Sequence, residues 1–325
     1  MKISFIIPVY NAERTIINTV NSILNQSKNN LTVEIIICND GSTDNSIEIL
    51  KELQNNHKEI VLFDNDNQGV YKTRNFCLNK INGDYVWLID SDDIIDVNAL
   101  CILEKTLMQG DFDAINFGYF IQNKQGTLEI KTPPINNQII DGITFLDKND
   151  GRLYLWNNIF NVNFLKKEKI KFLAKSISLE DSLFNLDFFS KAKKVICIDE
   201  TLYVYCYNQN SISRTKSLQH LINQGTSSYN VHSETKRIRD TFNIGTTEYN
   251  VLNEHLMLSE LGFFYSLLVE KYPLKYINYM YSIYVKENLL PLNKRNIPVK
   301  LKIFQLMINL KVPFLLLCFI NKKIN

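Results

Sequence analysis

The stretch YVWLIDSDD, Tyr85 to Asp93, delivers three carboxylates, Asp90, Asp92 and Asp93, directly after an apolar run. Like charges this close repel, and burial without a partner makes the repulsion worse. A hard divalent cation removes it. Mg²⁺ or Mn²⁺ takes oxygen ligands and commonly bridges protein carboxylates to diphosphate oxygens. If the strand continued through the acidic residues, Asp90 and Asp92 would point one way and Ser91 the other. The competing reading makes Asp92 or Asp93 the cap of a helix over IIDVNALCILEKTL.

Three more clusters carry polar chemistry. In CNDGSTDNS, Asp40 and Gly41 form a turn, and Ser42 or Thr43 opens a helix. Exposed backbone N–H groups beside a carboxylate there could hold a polar ring or a ribose. In IIPVYN, Pro8 ends strand pairing and sets Tyr10 and Asn11 at the strand's carboxyl end. In NDNQGVYKTRN, Gly69 permits close backbone approach, and Lys72 and Arg74 could face a phosphate. Lys72 reads equally well as a solvated base on a helix.

The elements that must position these clusters are legible from periodicity. ISFIIPVY, TVEIIICND, EIVLFDND and YVWLID are short, nearly continuous apolar runs that read as strands. Between them, AERTIINTVNSILNQ, STDNSIEILKELQ and GVYKTRNFCLNKI have helical spacing. Such alternation predicts a parallel α/β sheet covered on both faces, with ligands beyond the carboxyl ends of its strands. The polar clusters fall at those ends. From about 111 to 215 a mixed pattern extends the same domain. From 216 to 325 the chain reads as largely helical, so two regions are expected, 1–215 and 216–325.

Hydrophobic residues make up 45% of the 325, enough for a sizeable core, and the formal net charge of +2 argues against a dedicated nucleic-acid binder. The opening MKISFIIPVY reads as a strand, not a cleaved leader. Six scattered cysteines with no C-x-x-C pair fit free thiols in a reducing cytoplasm. The last 32 residues hold seven basic residues and no acidic one. Their longest uncharged run, Val312 to Asn321, falls short of the about 20 apolar residues of a spanning helix. A basic amphipathic segment suits the surface of an anionic membrane. The plainer reading is a helix packed on the body with its lysines solvated.

Taken together and in this order, IIPVYN, NDGSTDNS, the N-x-G and RN pairs of Asn67–Asn75, GDYVWLIDSDD and LEDSLFN resemble the family-2 glycosyltransferases of the GT-A fold. The resemblance covers about residues 1–215. It implies a Rossmann-like α/β fold, a nucleotide-sugar donor, usually a UDP-sugar, and an acceptor side in the second half. It implies Pro8, Tyr10 and Asn11 as the wall beside nucleobase and ribose, and Asp40 as acceptor of the uracil N–H. Asn67, Gly69 and Arg74 would line the nucleotide pocket. Asp90 would serve ribose or metal, with Ser91 beside it, and Asp92 would be the direct metal ligand. Asp181 would be the catalytic base of an inverting transfer, although its position also suits capping of the helix that follows.

Val70, Tyr71 and Lys72 are bulkier than the family's usual residues after N-x-G, and the Q-x-x-R-W signature of processive synthases is absent. The expectation is therefore single-sugar transfer to a glycan, lipid-linked, at the cytoplasmic face of a bacterial membrane. Trp156, Tyr205 and Tyr207 could stack on sugar faces, although such aromatics are more often core. A nucleotidyltransferase would need a glycine-rich phosphate loop that PVYNAERT lacks. A non-catalytic nucleotide- or glycan-binding descendant would be expected to have lost some of these carboxylates. Neither the sugar nor the oligomeric state is readable.

Overall fold

The computed structural model describes residues 1–27, 30–133, 135, 137–149, 153–173, 179–208, 217–293 and 297–324. The chain forms two compact units, residues 1–174 with 184–210, and residues 175–183 with 211–325. The expected boundary at 215/216 lies outside the described residues.

The first unit begins with the anticipated alternation: β1 (Lys2–Val9), α1 (Ile16–Leu24), β2 (Thr32–Asp40), α2 (Ser46–Asn56), β3 (Ile60–Asn65), α3 (Val70–Leu78) and β4 (Tyr85–Leu88). There follow β5 (Ile94–Ile95), α4 (Ala99–Leu107), β6 (Ala114–Gln122), β7 (Leu128–Lys131), β8 (Gln138–Ile140), α5 (Gly142–Lys148), β9 (Asn158–Asn161), α6 (Val162–Lys167), α7 (Glu180–Lys191), whose residues up to Leu183 belong to the second unit, and β10 (Val195–Tyr205). The ten strands make one sheet in the order β3-β2-β1-β4-β9-β6-β10-β5, with β7 on β6 and β8 on β10. The first four run parallel, and β9 is antiparallel to both of its neighbours. β1, β2 and β4 bury nearly every residue, as strands covered on both faces must. The mixed α/β sheet and the helical C-terminal region agree with the expected fold class.

Three local expectations change. Pro8 does not end pairing outright, because Pro8 and Val9 still register with Cys38 and Asn39 of β2. On the β4 side the last bond is Ile89 N to the Ile6 carbonyl (3.0 Å), and Pro8, without an N–H, ends that ladder alone. α2 starts at Ser46 after Asn45, not at Ser42 or Thr43, since Asp44 Oδ1 takes the Ser46 amide (3.0 Å). Ile94 and Ile95 pair with Val204 and Tyr203 as a strand, so the helix expected from there begins only at Ala99.

The core beneath the sheet's carboxyl edge is aromatic. Trp87 is fully buried, lies edge-on to Phe117 (5.0 Å) and tilted to Phe5 (5.6 Å), and donates its Nε1 hydrogen to the Trp156 carbonyl (2.7 Å). Each such ring pair adds about 0.5–1.5 kcal/mol beyond its buried area. The strand that delivers the acidic cluster is therefore rigidly seated.

The second unit is built from α8 (Leu218–Arg239), α9 (Thr247–Val269), α10 (Leu274–Lys286), α11 (Val299–Asn309) and α12 (Val312–Ile324). Its apolar core runs from Leu221 through Phe264 and Tyr284 to Ile308, Phe314 and Cys318.

Candidate functional site

Strand order reverses between β1 and β4, because β2 and β3 lie on one side of β1 and β4 on the other. Ligands of open α/β sheets bind beyond the carboxyl ends at such a point. β1 ends at Val9 and β4 at Leu88, so Tyr10, Asn11 and the acidic segment leave the sheet there.

The acidic segment is a turn, not more strand. Asp93 N donates to the Asp90 carbonyl (3.3 Å), and the Ser91 carbonyl accepts from Thr15 Oγ1 (2.9 Å) and Thr19 Oγ1 (3.0 Å). The alternation expected for Asp90, Ser91 and Asp92 therefore does not apply. The three carboxylates instead have three different partners. Arg74 Nη2 sits 3.0 Å from Asp90 Oδ1, with the guanidinium side chain 5% exposed and the carboxylate 35%. Asp92 Oδ2 accepts from Asn208 Nδ2 (2.7 Å). Asp93 is fully buried and accepts from Tyr203 OH (2.7 Å) and Cys206 N (2.7 Å). It does not cap α4, whose N-cap is Asn98. It ties the turn to the end of β10.

Burial pushes the Asp92 carboxyl above its ordinary pKa, with the charge of Asp90 adding to the effect and the Asn208 hydrogen bond opposing it. Burial, then the charges of Asp90 and Asp92, push Asp93 up further. Burial thus disfavours the charged forms of Asp92 and Asp93, and a cation beside them would favour those forms.

Around the turn, Asp40 clamps a neighbouring loop. Its Oδ1 accepts from Gln68 N (2.9 Å) and its Oδ2 from Gly69 N (3.0 Å). Gly41 has φ +71°, and a Cβ there would meet Asn67 N at 2.6 Å. Gly69 is needed for its φ of +89°, since an added Cβ would find nothing nearer than 3.8 Å. Asn11, at φ +51°, accepts the Thr43 amide on Oδ1 (2.8 Å) and donates its own amide to Ser42 Oγ (3.0 Å). Tyr10 is 45% exposed beside it. Thus Pro8, Tyr10, Asn11, Asp40, Asn67, Gly69, Arg74, Asp90, Ser91 and Asp92 all lie on β1, β2, α3 or the loops at the carboxyl ends of β1, β3 and β4.

A divalent cation fits this donor set in one way. Among the described residues no group of three or more His, Cys, Asp or Glu side chains could hold a metal. Asp92, with Asp90 already held by Arg74, supplies one or two carboxylates, which is the usual protein share when substrate phosphates complete the shell.

Asp92 also borders a cavity of about 910 Å³ whose wall includes Asn18, Asn21 and Ser22 of α1, its C-cap Asn25, and Tyr207 and Asn208 after β10. Sequence reading missed this amide row and the anchors Tyr203, Cys206 and Asn208, since none carries a motif. Of its two readings, sugar platform or core, Trp156 takes the core one: it is buried, stacked on Tyr203 (4.6 Å) and Tyr154 (4.8 Å). Tyr205 is 37% exposed. Asp181 lies in the first turn of α7, within the second compact unit.

Comparison with known proteins places the chain. The sequence model of Glycosyl transferase family 2 matches residues 4–171. An uncharacterized glycosyltransferase of Haemophilus influenzae is 34% identical over 196 residues, 60% of this chain and 74% of its own length. The poly(ribitol-phosphate) beta-glucosyltransferase of Bacillus spizizenii is 28% identical over 63% of this chain, and the glycosyltransferase GlyA of Streptococcus pneumoniae 29% over 66%. Both matches span only 32% of those longer proteins. Among solved structures, S. aureus TarS superposes with a TM-score of 0.68 at 18% identity, covering 98% of this chain and 55% of that one. A shorter TarS structure in complex with UDP-GlcNAc gives 0.62 at 16% identity, covering 99% and 92%. The match over residues 4–171, on a GT-A-like fold with its polar clusters at the topological switch point, makes the chain a member of glycosyl transferase family 2.

Proposed function

We propose that the chain is an inverting glycosyltransferase that moves one sugar from a UDP-sugar to a glycan acceptor, lipid-linked, in bacterial cell-surface polysaccharide synthesis. The observation that carries this reading is the acidic turn at the β1/β4 switch point, where Asp90 meets Arg74 and Asp92 borders a cavity. The UDP-GlcNAc complex of TarS and the poly(ribitol-phosphate) glucosyltransferase relative support the donor and pathway classes.

In this reading the nucleobase lies against Pro8 and Tyr10, with Asn11, Asn67, Gly69 and Asp40 around it. Asp40 has lone pairs beyond the two that hold Gln68 and Gly69, and one would accept the uracil N–H. Arg74 keeps Asp90 oriented toward the ribose. Asp92, with Asp90, would hold Mn²⁺ or Mg²⁺, which supplies positive charge against the departing diphosphate. The glycan lies along the amide-lined cavity beside Asp92. Asp181 removes the acceptor hydroxyl's proton as that oxygen attacks the anomeric carbon, and UDP leaves from the opposite face.

Calorimetric titration of UDP, with CDP and GDP as controls, with and without Mn²⁺, tests the donor site on wild type and Asp92→Asn. Mn²⁺-dependent UDP binding that Asp92→Asn loses is the expected result. A preference for CDP or GDP overturns the donor, and no nucleotide binding by the folded protein overturns the reading. Asp181→Asn should bind UDP normally and slow transfer by roughly 10²–10⁴-fold, the usual contribution of a general base.

Membrane attachment belongs to α11 and α12. Among the described residues no single helix is long and apolar enough to cross a membrane, and this pair, which has the length and composition only jointly, is bent by 109°. Ile303 and Leu306 of α11 and Leu316 and Ile320 of α12 are exposed, while Ile308, Phe314 and Cys318 are buried. Exposed Lys300 and Lys302 flank the apolar side chains. Lys294, Arg295 and the side chains of Lys322 and Lys323 lie outside the described residues. Both readings of this segment therefore have a physical basis: one face packs, and the other suits an anionic lipid surface.

A further inference from the structure

The second unit contains a cavity of about 480 Å³, inside the roughly 300–1,000 Å³ of small-molecule sites. One wall is α9, where Asn250, Asn253, Met257 and Glu260 follow helical spacing along one face. Asn288 and Asn293, after α10, contribute further amides.

Glu260 is the anomaly. It is 2% exposed, and its Oε1 has no hydrogen-bond partner among the described residues. A buried carboxyl oxygen left unpaired costs about 1–3 kcal/mol, so a partner supplied from outside the chain is expected. Burial pushes its pKa up to about 8, although Arg239 and Lys236 pull the other way. The neutral acid that results can donate and accept.

The cation in the wall is already committed. Arg239 donates from Nε and Nη2 to Asp240 Oδ1 (2.8 and 2.7 Å) and from Nη1 to Asn253 Oδ1 (2.7 Å), and its guanidinium stacks over Tyr249 (5.0 Å). The cavity thus presents amides, the carboxyl groups of Glu254 and Glu260, and the apolar surface of Met257, with Arg239 committed elsewhere. Amide and carboxyl groups beside an apolar face match a ring that has hydroxyls on its edge and C–H on its face.

We propose that this cavity is a saccharide subsite, binding a neutral sugar residue of the acceptor or product glycan through groups of the helical unit alone. The identity of the ligand rests on the glycosyltransferase reading; the existence of the site rests on the cavity and Glu260.

The test uses the full chain with ¹³C-methyl-labelled methionine, titrated with glucose, N-acetylglucosamine, cellobiose and chitobiose. Met257 lines the cavity, and Met280 sits in the same unit's core outside it. The expected result is a saturable shift of the Met257 methyl with Met280 unmoved. Asn250→Ala and Asn293→Ala, both at exposed positions that spare the fold, should each weaken binding by about tenfold, the loss of one hydrogen bond. Met257 unmoved by all four sugars, or a shift that neither variant weakens, overturns the proposal and leaves Glu260 to a buried water. UDP calorimetry on the same sample separates the two readings. Sugar binding lost while UDP binds sinks only the subsite; UDP binding lost while Met257 still responds sinks only the donor assignment.

Discussion

Asp92 and Asp93 are adjacent and do different work. Asp92 faces a cavity with one amide partner, whereas Asp93 is sealed in and holds the end of β10. No sequence pattern separates them, because the Tyr203 hydroxyl that decides the matter comes from 110 residues away. Tyr203→Phe leaves Asp93 with one bond fewer in a fully buried position. We expect it to lose about 1–3 kcal/mol, read as a lower urea midpoint with an unchanged m-value. Glu260 gives a second prediction at this scale. Its folded pKa, about 8, is raised by burial above the ordinary 4.5, so the folded state holds a proton that the unfolded chain releases. Its contribution to stability is complete below about pH 4.5 and is lost as pH rises toward 8. Glu260→Gln should flatten that slope and make the variant a few kcal/mol more stable than wild type near pH 8, while leaving stability at pH 4 nearly unchanged. Chemical denaturation across that range measures it.

At the scale of elements, the sequence carried the strands well and their edges poorly. β1 to β4 were legible because a strand buried on both faces must be apolar at every position. β5 was not, because Ile94–Ile95 is two residues long and exists only through its pairing with β10. Trp156 had two readings because an aromatic beside polar residues looks the same in sequence whether it faces sugar or Tyr203. The loop between β3 and α3 rests on Asp40 and on the close approach of Gly41 to Asn67. Gly41→Ala adds a carbon 2.6 Å from Asn67 N at a φ of +71°. It should cost at least about 1–2 kcal/mol from the left-handed backbone alone and weaken UDP binding by displacing that loop. Gly126→Ala is the control, since its φ is +82° with nothing within 4 Å, and it should destabilise without touching UDP affinity. Equal loss of UDP binding in both variants would remove the loop from the donor site.

For the whole molecule, α11 and α12 carry both core and exposed apolar residues, so deleting them would damage the helical unit as well as any lipid contact. Point changes on the outer face are the cleaner probe. Leu306→Asp with Leu316→Asp should lower sedimentation with phosphatidylglycerol-containing vesicles by tenfold or more, since each fully buried leucine contributes about 1.5–3 kcal/mol. Thermal stability should hold, because both side chains are already exposed, at 59% and 53%. Vesicle binding that survives the double change would move the membrane contact elsewhere. The sequence showed the basic, apolar character of this tail but not which face is occupied, because burial there is set by Phe264 and Tyr281 from other helices.

The sparse ligand set of the acidic turn has a thermodynamic consequence. Under the proposed function, Asp92 and the Arg74-held Asp90 are the carboxylates on offer among the described residues, so a cation's coordination would be completed by the diphosphate. Cation and nucleotide are then heterotropic partners. The factor by which Mn²⁺ tightens UDP must equal the factor by which UDP tightens Mn²⁺, so two titrations in opposite order have to close on one coupling free energy.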